Sequence, residues 1–128
     1  MLRVLMVEDQ EADAELTARS LRRSGLTFEW ERVETEEAFR AALARRPDVV
    51  LSDGNVPGFG GLAALAIVRK EMPEIPFIVL SGAPWDQRAQ AAIEAGAADF
   101  ICKADMKALA PAITRVLARR ELPTGDER

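Results

Sequence analysis

Four apolar runs in the sequence each end at a side chain that can carry a charge or donate a hydrogen bond. An acid at the end of a buried strand costs free energy unless a partner holds it, so these positions are candidates for a functional site. The runs and the residues that follow them are LRVLMV (2–7) with Glu8 and Asp9, DVVLS (48–52) with Asp53, FIVL (77–80) with Ser81, and ADFIC (98–102) with Lys103.

The chemistry that these side chains could share is the binding of a divalent cation and of a phosphoryl group. Three carboxylates in one pocket repel one another unless a cation lies among them. Oxygen ligands favour a hard ion, which predicts Mg²⁺, with Mn²⁺ as an alternative. Lys103 and Ser81 would then contact phosphoryl oxygens, and Asp53 is the candidate nucleophile that would form an acyl phosphate.

The elements that must position these residues alternate between strand and helix five times. The strand runs are apolar throughout, which predicts a parallel sheet covered by helices on both faces, and the length leaves no room for a second domain. Ligands bind beyond the carboxyl ends of such strands, and only the second strand ends without a comparable group, at Glu34. The predicted strands are 2–7, 27–33, 48–52, 77–80 and 98–102; the fourth and last helices are 86–95 and about 107–120.

Local signals set the ends and inward faces of the helices. Gly25 is the predicted stop of the first helix, and Thr35 is the predicted N-cap of the second. Gly61 opens the third helix. The residues expected to face the core are Leu16, Thr17, Ser20 and Leu21 in the first helix, and Leu62, Leu65 and Val68 in the third.

The composition argues against several classes of function. The net charge of -4 disfavours nucleic-acid binding, and no apolar run approaches the roughly 20 residues of a membrane span. The single cysteine allows no internal disulfide, which predicts a cytoplasmic protein. The absence of histidine removes His-ligated zinc and catalysis by Ser-His or Cys-His pairs.

In this order and spacing the motifs resemble the receiver domain of two-component response regulators. The resemblance covers about residues 2–120 and implies a flavodoxin-like, doubly wound (βα)5 fold: three layers around a five-stranded parallel sheet of order 2-1-3-4-5. Residues 1–120 would form the receiver domain, and 121–128 a tail or the start of a linker. The motifs that carry it are Glu8-Asp9, DGNVPGFGG (53–61), Ser81-Gly82 and Lys103.

The resemblance also implies the source of the phosphoryl group and the ligands of the metal. Asp53 would be phosphorylated from the phosphohistidine of a sensor histidine kinase or a His-containing phosphotransfer protein. Asp9, Asp53 and the main-chain carbonyl of Asn55 would ligate Mg²⁺, and Glu8 would reach it through water.

Two further roles follow from the same resemblance. Ser81 and Lys103 would hold the phosphoryl oxygens. Phe100 stands at the aromatic switch position of the family and would change rotamer as Ser81 moves, although an aromatic at a strand end can equally be ordinary packing. The switch would change a face that binds a downstream protein target. Trp85, in the loop after Ser81, is expected either to report this change by its fluorescence or simply to pack over the start of the fourth helix.

The sequence departs from the family pattern beside two of the motifs. Ala104 follows Lys103, where the family commonly has a proline joined by a cis peptide. A cis bond without proline costs about 2.5–4 kcal/mol, so the Lys103–Ala104 peptide is predicted to be trans. Gly54 and Gly60 replace a bulkier and an acidic residue, which affects loop geometry and leaves the chemistry intact.

The function expected from these observations is that of a signalling module. It would be no enzyme beyond accelerating its own phosphorylation and dephosphorylation, and without an output domain it would act through protein contacts, alone or as part of a longer protein. One alternative is a Mg²⁺-dependent aspartyl-phosphate phosphatase, whose nucleophile usually follows the first strand, with a second acid where this chain has Asn55. Another is a degenerate receiver that binds partners without phosphate.

Overall fold

A computed structural model describes residues 1–54, 59–82 and 87–121 of the 128-residue chain, without the side chains of residues 88, 120 and 121. Strands and helices alternate along these residues, as the hydrophobic pattern predicts. The elements are β1 (Leu2–Val7), α1 (Glu11–Arg23), β2 (Phe28–Val33), α2 (Glu36–Leu43), β3 (Val49–Asp53), α3 (Gly61–Glu71), β4 (Phe77–Ser81), α4 (Gln87–Glu94), β5 (Asp99–Cys102), a 3-10 helix (Lys103–Ala108) and α5 (Leu109–Glu121).

The strands in the described part of the chain form one parallel sheet of order β2-β1-β3-β4-β5. The order reverses between β1 and β3, because β2 lies on one side of β1 and all later strands lie on the other. The carboxyl ends of β1 and β3 are therefore the expected place for a ligand. The fold class and the strand order predicted from the sequence are confirmed.

Both faces of the sheet are buried against helices, which explains why the strands are apolar throughout. Successive residues of a strand point to opposite faces. Leu5 and Val7 of β1 pack in a cluster with residues of α2 and α3. Val4 and Met6 pack in a second cluster with residues of α1 and α5. The sheet is thus the middle of three layers, and its rigidity fixes the residues at its carboxyl edge.

The predicted helix signals are found at α1 and α2. The hydroxyl of Thr35 accepts a hydrogen bond from the N–H of Ala38 at 3.1 Å, and α2 begins at the next residue. Gly25 follows the end of α1 with φ at +89°, a conformation that residues with a Cβ rarely adopt. These local devices set where the two helices begin and end.

Two of the apolar residues predicted to face the core do not. Leu16 is 58% exposed and Leu62 is 56% exposed. In α1 the inward positions are taken by Ala14, Ala18 and residues at the same spacing, so Leu16 falls on the outer side. The packed face of α1 consists of these two alanines together with Thr17 and Leu21, which were predicted to face the core. Ser20 lies half-buried at the margin.

The segment between β5 and α5 also differs from the prediction. The last helix was expected from about residue 107, but residues 103–108 form a 3-10 helix and α5 begins at Leu109. Pro111 therefore lies in the first turn of α5, where its missing N–H has no partner to lose. The Lys103–Ala104 peptide is trans as predicted, since the described residues contain no cis peptide. Among the residues that the structure describes, no helix is long and apolar enough to span a bilayer.

Candidate functional site

The acid pair follows β1 and is held by the neighbouring strand and by the start of α1. Glu8 is 4% exposed, and its N–H donates to the carbonyl of Val33 at 3.0 Å. Its carboxylate accepts a hydrogen bond from the N–H of Gln10 at 3.1 Å. Asp9 is half-buried and accepts from the side-chain amide of Gln10 at 3.2 Å. Glu8 thus satisfies a backbone donor just before α1, which leaves its other oxygen available for the site.

Asp53 is the last residue of β3, and its side chain is 15% exposed. The start of α3 comes close to it. A Cβ added to Gly61 would lie 3.3 Å from the carbonyl oxygen of Asp53, so a glycine allows the helix to begin against the strand end. The Asp53 carboxylate is therefore presented at the carboxyl edge of the sheet beside β1, where the strand order reverses.

Lys103 follows β5 directly and reaches across the edge of the sheet to three carboxylates. Its ammonium lies 3.2 Å from Oε1 of Glu8, 3.5 Å from Oδ2 of Asp13 and 3.7 Å from Oδ1 of Asp53. The side chain is 24% exposed. The structure thus brings Lys103 together with residues that are 95 and 90 positions away in sequence. The predicted convergence of Glu8, Asp53 and Lys103 is present.

The three predicted acidic ligands also lie together. Glu8, Asp9 and Asp53 each offer a carboxylate oxygen, and these oxygens are all within 4.8 Å of one another. Such separations are of the size that one hydrated Mg²⁺ can span, and the donors are the hard oxygens that it prefers. Asp13 adds a further carboxylate beside the same lysine. One ammonium is too little positive charge for this set, so the residues fit a divalent cation.

The pKa directions show which groups carry the electrostatic cost. Burial is the main reason that the pKa of Glu8 is raised above 4.5, and the charge of Asp53 raises it further. The N–H of Gln10 and the contact with Lys103 lower it, but they do not outweigh burial. For Lys103, burial lowers the pKa, while the charge of Asp53 and the contacts with Glu8 and Asp13 raise it, and the net direction is upward. These directions favour the charged form of Lys103. For Glu8 they disfavour the charged form, because its carboxyl group is buried.

Ser81 and Phe100 border a cavity that opens beside Asp53. The cavity has a volume of about 420 Å³, and its walls come from the ends of β3 and β4 and from α3 and α4. Ser81 is the last residue of β4, and Phe100 belongs to β5; both are half-buried. They are placed at the same opening as Asp53, where the predicted roles require them. Their roles in holding phosphate and in switching stay predictions.

Two of the predicted participants lie outside the residues that the structure describes. These are Asn55, whose carbonyl was expected to ligate the metal, and Trp85, which was expected to report the switch. The predicted tail, 121–128, lies outside them as well, except for the backbone of residue 121.

The structure adds two residues that the sequence analysis missed. Asp13 lies in the first turn of α1, and its carboxylate lies beside Lys103. Arg32, in β2, donates from Nη1 to the carbonyl of Glu8 at 3.1 Å and meets Glu34 at 3.4 Å. The second strand therefore does contribute to the site, through the residue before its last one.

Comparison with known proteins identifies the class to which this fold and site belong. The family model of the response regulator receiver domain matches residues 4–114. The chain belongs to this family. Receiver domains of the family interact with histidine kinases, and in general they are phosphorylated and bind Mg²⁺ at an acidic pocket.

Individual relatives agree with this membership. The chain is 33% identical over 127 residues to the response regulator protein FleR of Pseudomonas aeruginosa, covering 98% of this chain and 26% of FleR. It is 33% identical over 118 residues to the transcriptional regulatory protein PrrA of Mycobacterium tuberculosis, covering 92% of this chain and 50% of PrrA. The chain thus spans between a quarter and a half of the length of these curated relatives.

Solved structures show the same fold. A response regulator receiver domain protein from Clostridium thermocellum superposes with a TM-score of 0.83 at 21% identity, covering 94% of this chain and 98% of that one. NtrX from Brucella abortus superposes with a TM-score of 0.83 at 30% identity, covering 94% of this chain and 28% of NtrX. The first of these likenesses concerns the fold alone.

Proposed function

We propose that this chain accepts a phosphoryl group on Asp53 from a phosphohistidine of a partner protein, in a Mg²⁺-dependent reaction, and that phosphorylation changes a protein-binding face. The observation that carries the proposal is the surroundings of Asp53. Its carboxylate has an ammonium at 3.7 Å, lies in a group of carboxylate oxygens within 4.8 Å of one another, and opens onto a cavity of about 420 Å³.

The covalent step needs a nucleophile and stabilisation of charge on the transferred group. An oxygen of Asp53 attacks the phosphorus of the phosphohistidine, and a P–O bond forms as the P–N bond breaks. The electron pair of the P–N bond stays on the imidazole, which leaves as a neutral ring when its other nitrogen is protonated. Lys103, whose pKa is raised, places its ammonium 3.7 Å from Oδ1 of Asp53, and Ser81 offers a hydroxyl donor at the cavity beside Asp53.

Glu8, Asp9 and Asp53 are the side chains that would hold Mg²⁺, with Mn²⁺ as a substitute and the carbonyl of Asn55 as the ligand implied by the resemblance. When bound, the ion supplies positive charge that offsets the charge of the phosphoryl oxygens. The raised pKa of Glu8 supports this assignment, because a buried carboxylate beside another acid gains from a cation more than an exposed one would.

The output of the switch is proposed to be a protein contact. Ser81 and Phe100 line the cavity beside Asp53, so a phosphoryl group that draws in Ser81 would change the space available to the ring of Phe100. We place the protein in the cytoplasm and propose no direct contact with nucleic acid or membrane, on the basis of its net charge of -4 and its single cysteine. The protein named PrrA is a transcriptional regulator, so a longer form of this chain could carry such an output elsewhere.

The proposal is tested by intact-mass analysis after incubation with acetyl phosphate and Mg²⁺. Wild type should gain one phosphoryl group, and Asp53→Ala should gain none. The matched control is Asp48→Ala, which removes an aspartate that precedes the same strand at its opposite end and should still be labelled. Omission of Mg²⁺ should prevent labelling of wild type.

Three other outcomes would contradict the proposal. Equal labelling of Asp53→Ala would remove Asp53 as the acceptor, and absence of labelling in wild type would favour a degenerate receiver. Steady turnover of p-nitrophenyl phosphate would favour a phosphatase. The proposed function includes no catalysis beyond the chain's own phosphorylation and dephosphorylation.

A further inference from the structure

Asp13 occupies a place that the phosphorylation chemistry above does not use. Its carboxylate lies 3.5 Å from the ammonium of Lys103, about as close as the carboxylate of Asp53 at 3.7 Å. Its side chain is 44% exposed, whereas those of Glu8 and Asp53 are 6% and 15% exposed. Asp13 is therefore the outermost of the three anions around Lys103, on the solvent side of the site.

The position of Lys103 is a compromise among these three anions. A phosphoryl group on Asp53 would extend beyond the carboxylate and carry its charge on oxygens outside it. To contact those oxygens, the ammonium must give up part of its present contacts. Of the three contacts, the one with Asp13 is lost at the lowest cost. Asp13 is the most exposed of the three carboxylates, so water can solvate it once the ammonium of Lys103 moves away.

We propose that Asp13 is a positioning residue that competes with the phosphoryl group for Lys103 and so favours the unphosphorylated arrangement of the site. This inference rests on the proposed function. It gives α1 a part in setting how readily the chain becomes activated: the ion pair with Asp13 holds Lys103 until a phosphoryl group displaces it.

An acid in the first turn of a helix also has a purely structural use, because it interacts favourably with the helix dipole. That role predicts a lower melting temperature for a neutral variant and no change in phosphoryl affinity. The two roles are therefore separated by a binding measurement and not by stability.

The test uses beryllofluoride, which occupies the place of a phosphoryl group on an aspartate, titrated in saturating Mg²⁺ and followed by ¹⁹F NMR of the bound species. Asp13→Asn should bind beryllofluoride more tightly than wild type, by roughly twofold to fivefold, the range expected for loss of a partly exposed ion pair. Asp13→Ser serves as a second neutral variant and should show the same direction of change.

Two controls isolate the ion pair from charge in general. Glu15→Gln removes the same charge from an exposed position of the same helix and should leave the beryllofluoride Kd near that of wild type. Asp13→Glu keeps a carboxylate that can reach Lys103 and should also stay near wild type. A Kd in Asp13→Asn equal to or weaker than that of wild type would overturn the inference. So would equal tightening in Glu15→Gln or in Asp13→Glu.

Failure of the proposed function would look different. If neither wild type nor Asp13→Asn bound beryllofluoride, and acetyl phosphate did not label Asp53, then the function itself would be wrong. If wild type bound beryllofluoride through Asp53 and the Asp13 variants behaved like it, only the inference about Asp13 would fail.

Discussion

Two groups of charged residues in this protein are built from the same kinds of contact and have opposite consequences. The first group, here the surface pairs, lies on the outside of β2, α2 and α3 and of the turns that follow the two helices, and its side chains are 43–70% exposed. The second, here the site cluster, lies at the carboxyl edge of the sheet and consists of Lys103 with Glu8, Asp13 and Asp53. The surface pairs are Arg40 with Glu36 and Glu71, Arg45 with Glu31, and Arg46 with Glu74.

The difference between the two groups is charge balance combined with burial. Each arginine of the surface pairs meets glutamates in water, where an ion pair contributes about 0–1 kcal/mol and salt screens it. The site cluster has three carboxylates around one ammonium, with Asp9 beside them, and two of the three are largely buried. Surplus negative charge in a poorly solvated place makes the site cluster responsive to any added cation or anion. The surface pairs have four glutamates for three arginines, but the one surplus negative charge lies in water, so they should be indifferent to ligands.

The largest effect expected from this difference is stabilisation by Mg²⁺. A ligand that binds only the folded state raises the free energy of unfolding by about 2.7 kcal/mol at a hundredfold excess over Kd. Melting temperature should therefore rise with Mg²⁺ in wild type and barely move in Asp9→Asn. Glu31→Gln, taken from the surface pairs, loses the same charge and should keep the full Mg²⁺ response. An unchanged response in Asp9→Asn would count against Asp9 as a ligand.

A smaller effect is expected from the pH dependence of stability without metal. Burial raises the pKa of Glu8 above 4.5, so the folded state resists its ionisation. The stability that neutral Glu8 contributes is fully present below pH 4.5 and is lost as the pH rises through the raised value. Glu8→Gln stays neutral and can still accept the hydrogen bond from Gln10. Its melting temperature relative to wild type should therefore increase as the pH rises from below 4.5 through the raised pKa of Glu8, and then level off.

Mg²⁺ provides the internal control for Glu8. With saturating Mg²⁺, the ionised carboxylate gains a cation, and the advantage of Glu8→Gln at neutral pH should shrink or reverse. An advantage that narrows with rising pH in metal-free buffer would contradict the assigned cause, because burial can only favour the neutral carboxyl.

The two groups also differ in how far the sequence could predict them. The residues of the site cluster that end or follow strands were predictable, because a parallel sheet brings the carboxyl ends of its strands to one edge. Asp13 and Arg32 were missed because they are neither at a strand end nor in a motif. Their contacts depend on how α1 leaves β1 and on the reach of one long side chain across β2.

The sequence predicted which residues form strands and helices better than it predicted which side of each helix faces the core. Continuous apolar runs identified the strands, and Thr35 and Gly25 marked helix ends by local hydrogen bonding and backbone conformation. Leu16 and Leu62 were assigned to the core from helical spacing and hydrophobicity, but both are exposed. The packed face of a helix depends on which side chains fit against the sheet, and this cannot be read from one helix alone.

The smallest effect, and the strictest test of the comparison, is expected at Arg45. Its Nη2 donates to both oxygens of Glu31, at 2.6 and 2.7 Å, so this surface pair has two short contacts. The two side chains are nevertheless 52% and 49% exposed. Arg45→Gln should lower the free energy of unfolding by less than about 1 kcal/mol, with no change in Mg²⁺ response, and the loss should fade in high salt. Chemical denaturation at low and high NaCl measures both quantities. A larger loss that survives high salt would mean that geometry outweighs exposure here, and that the surface pairs and the site cluster differ less than their burial implies.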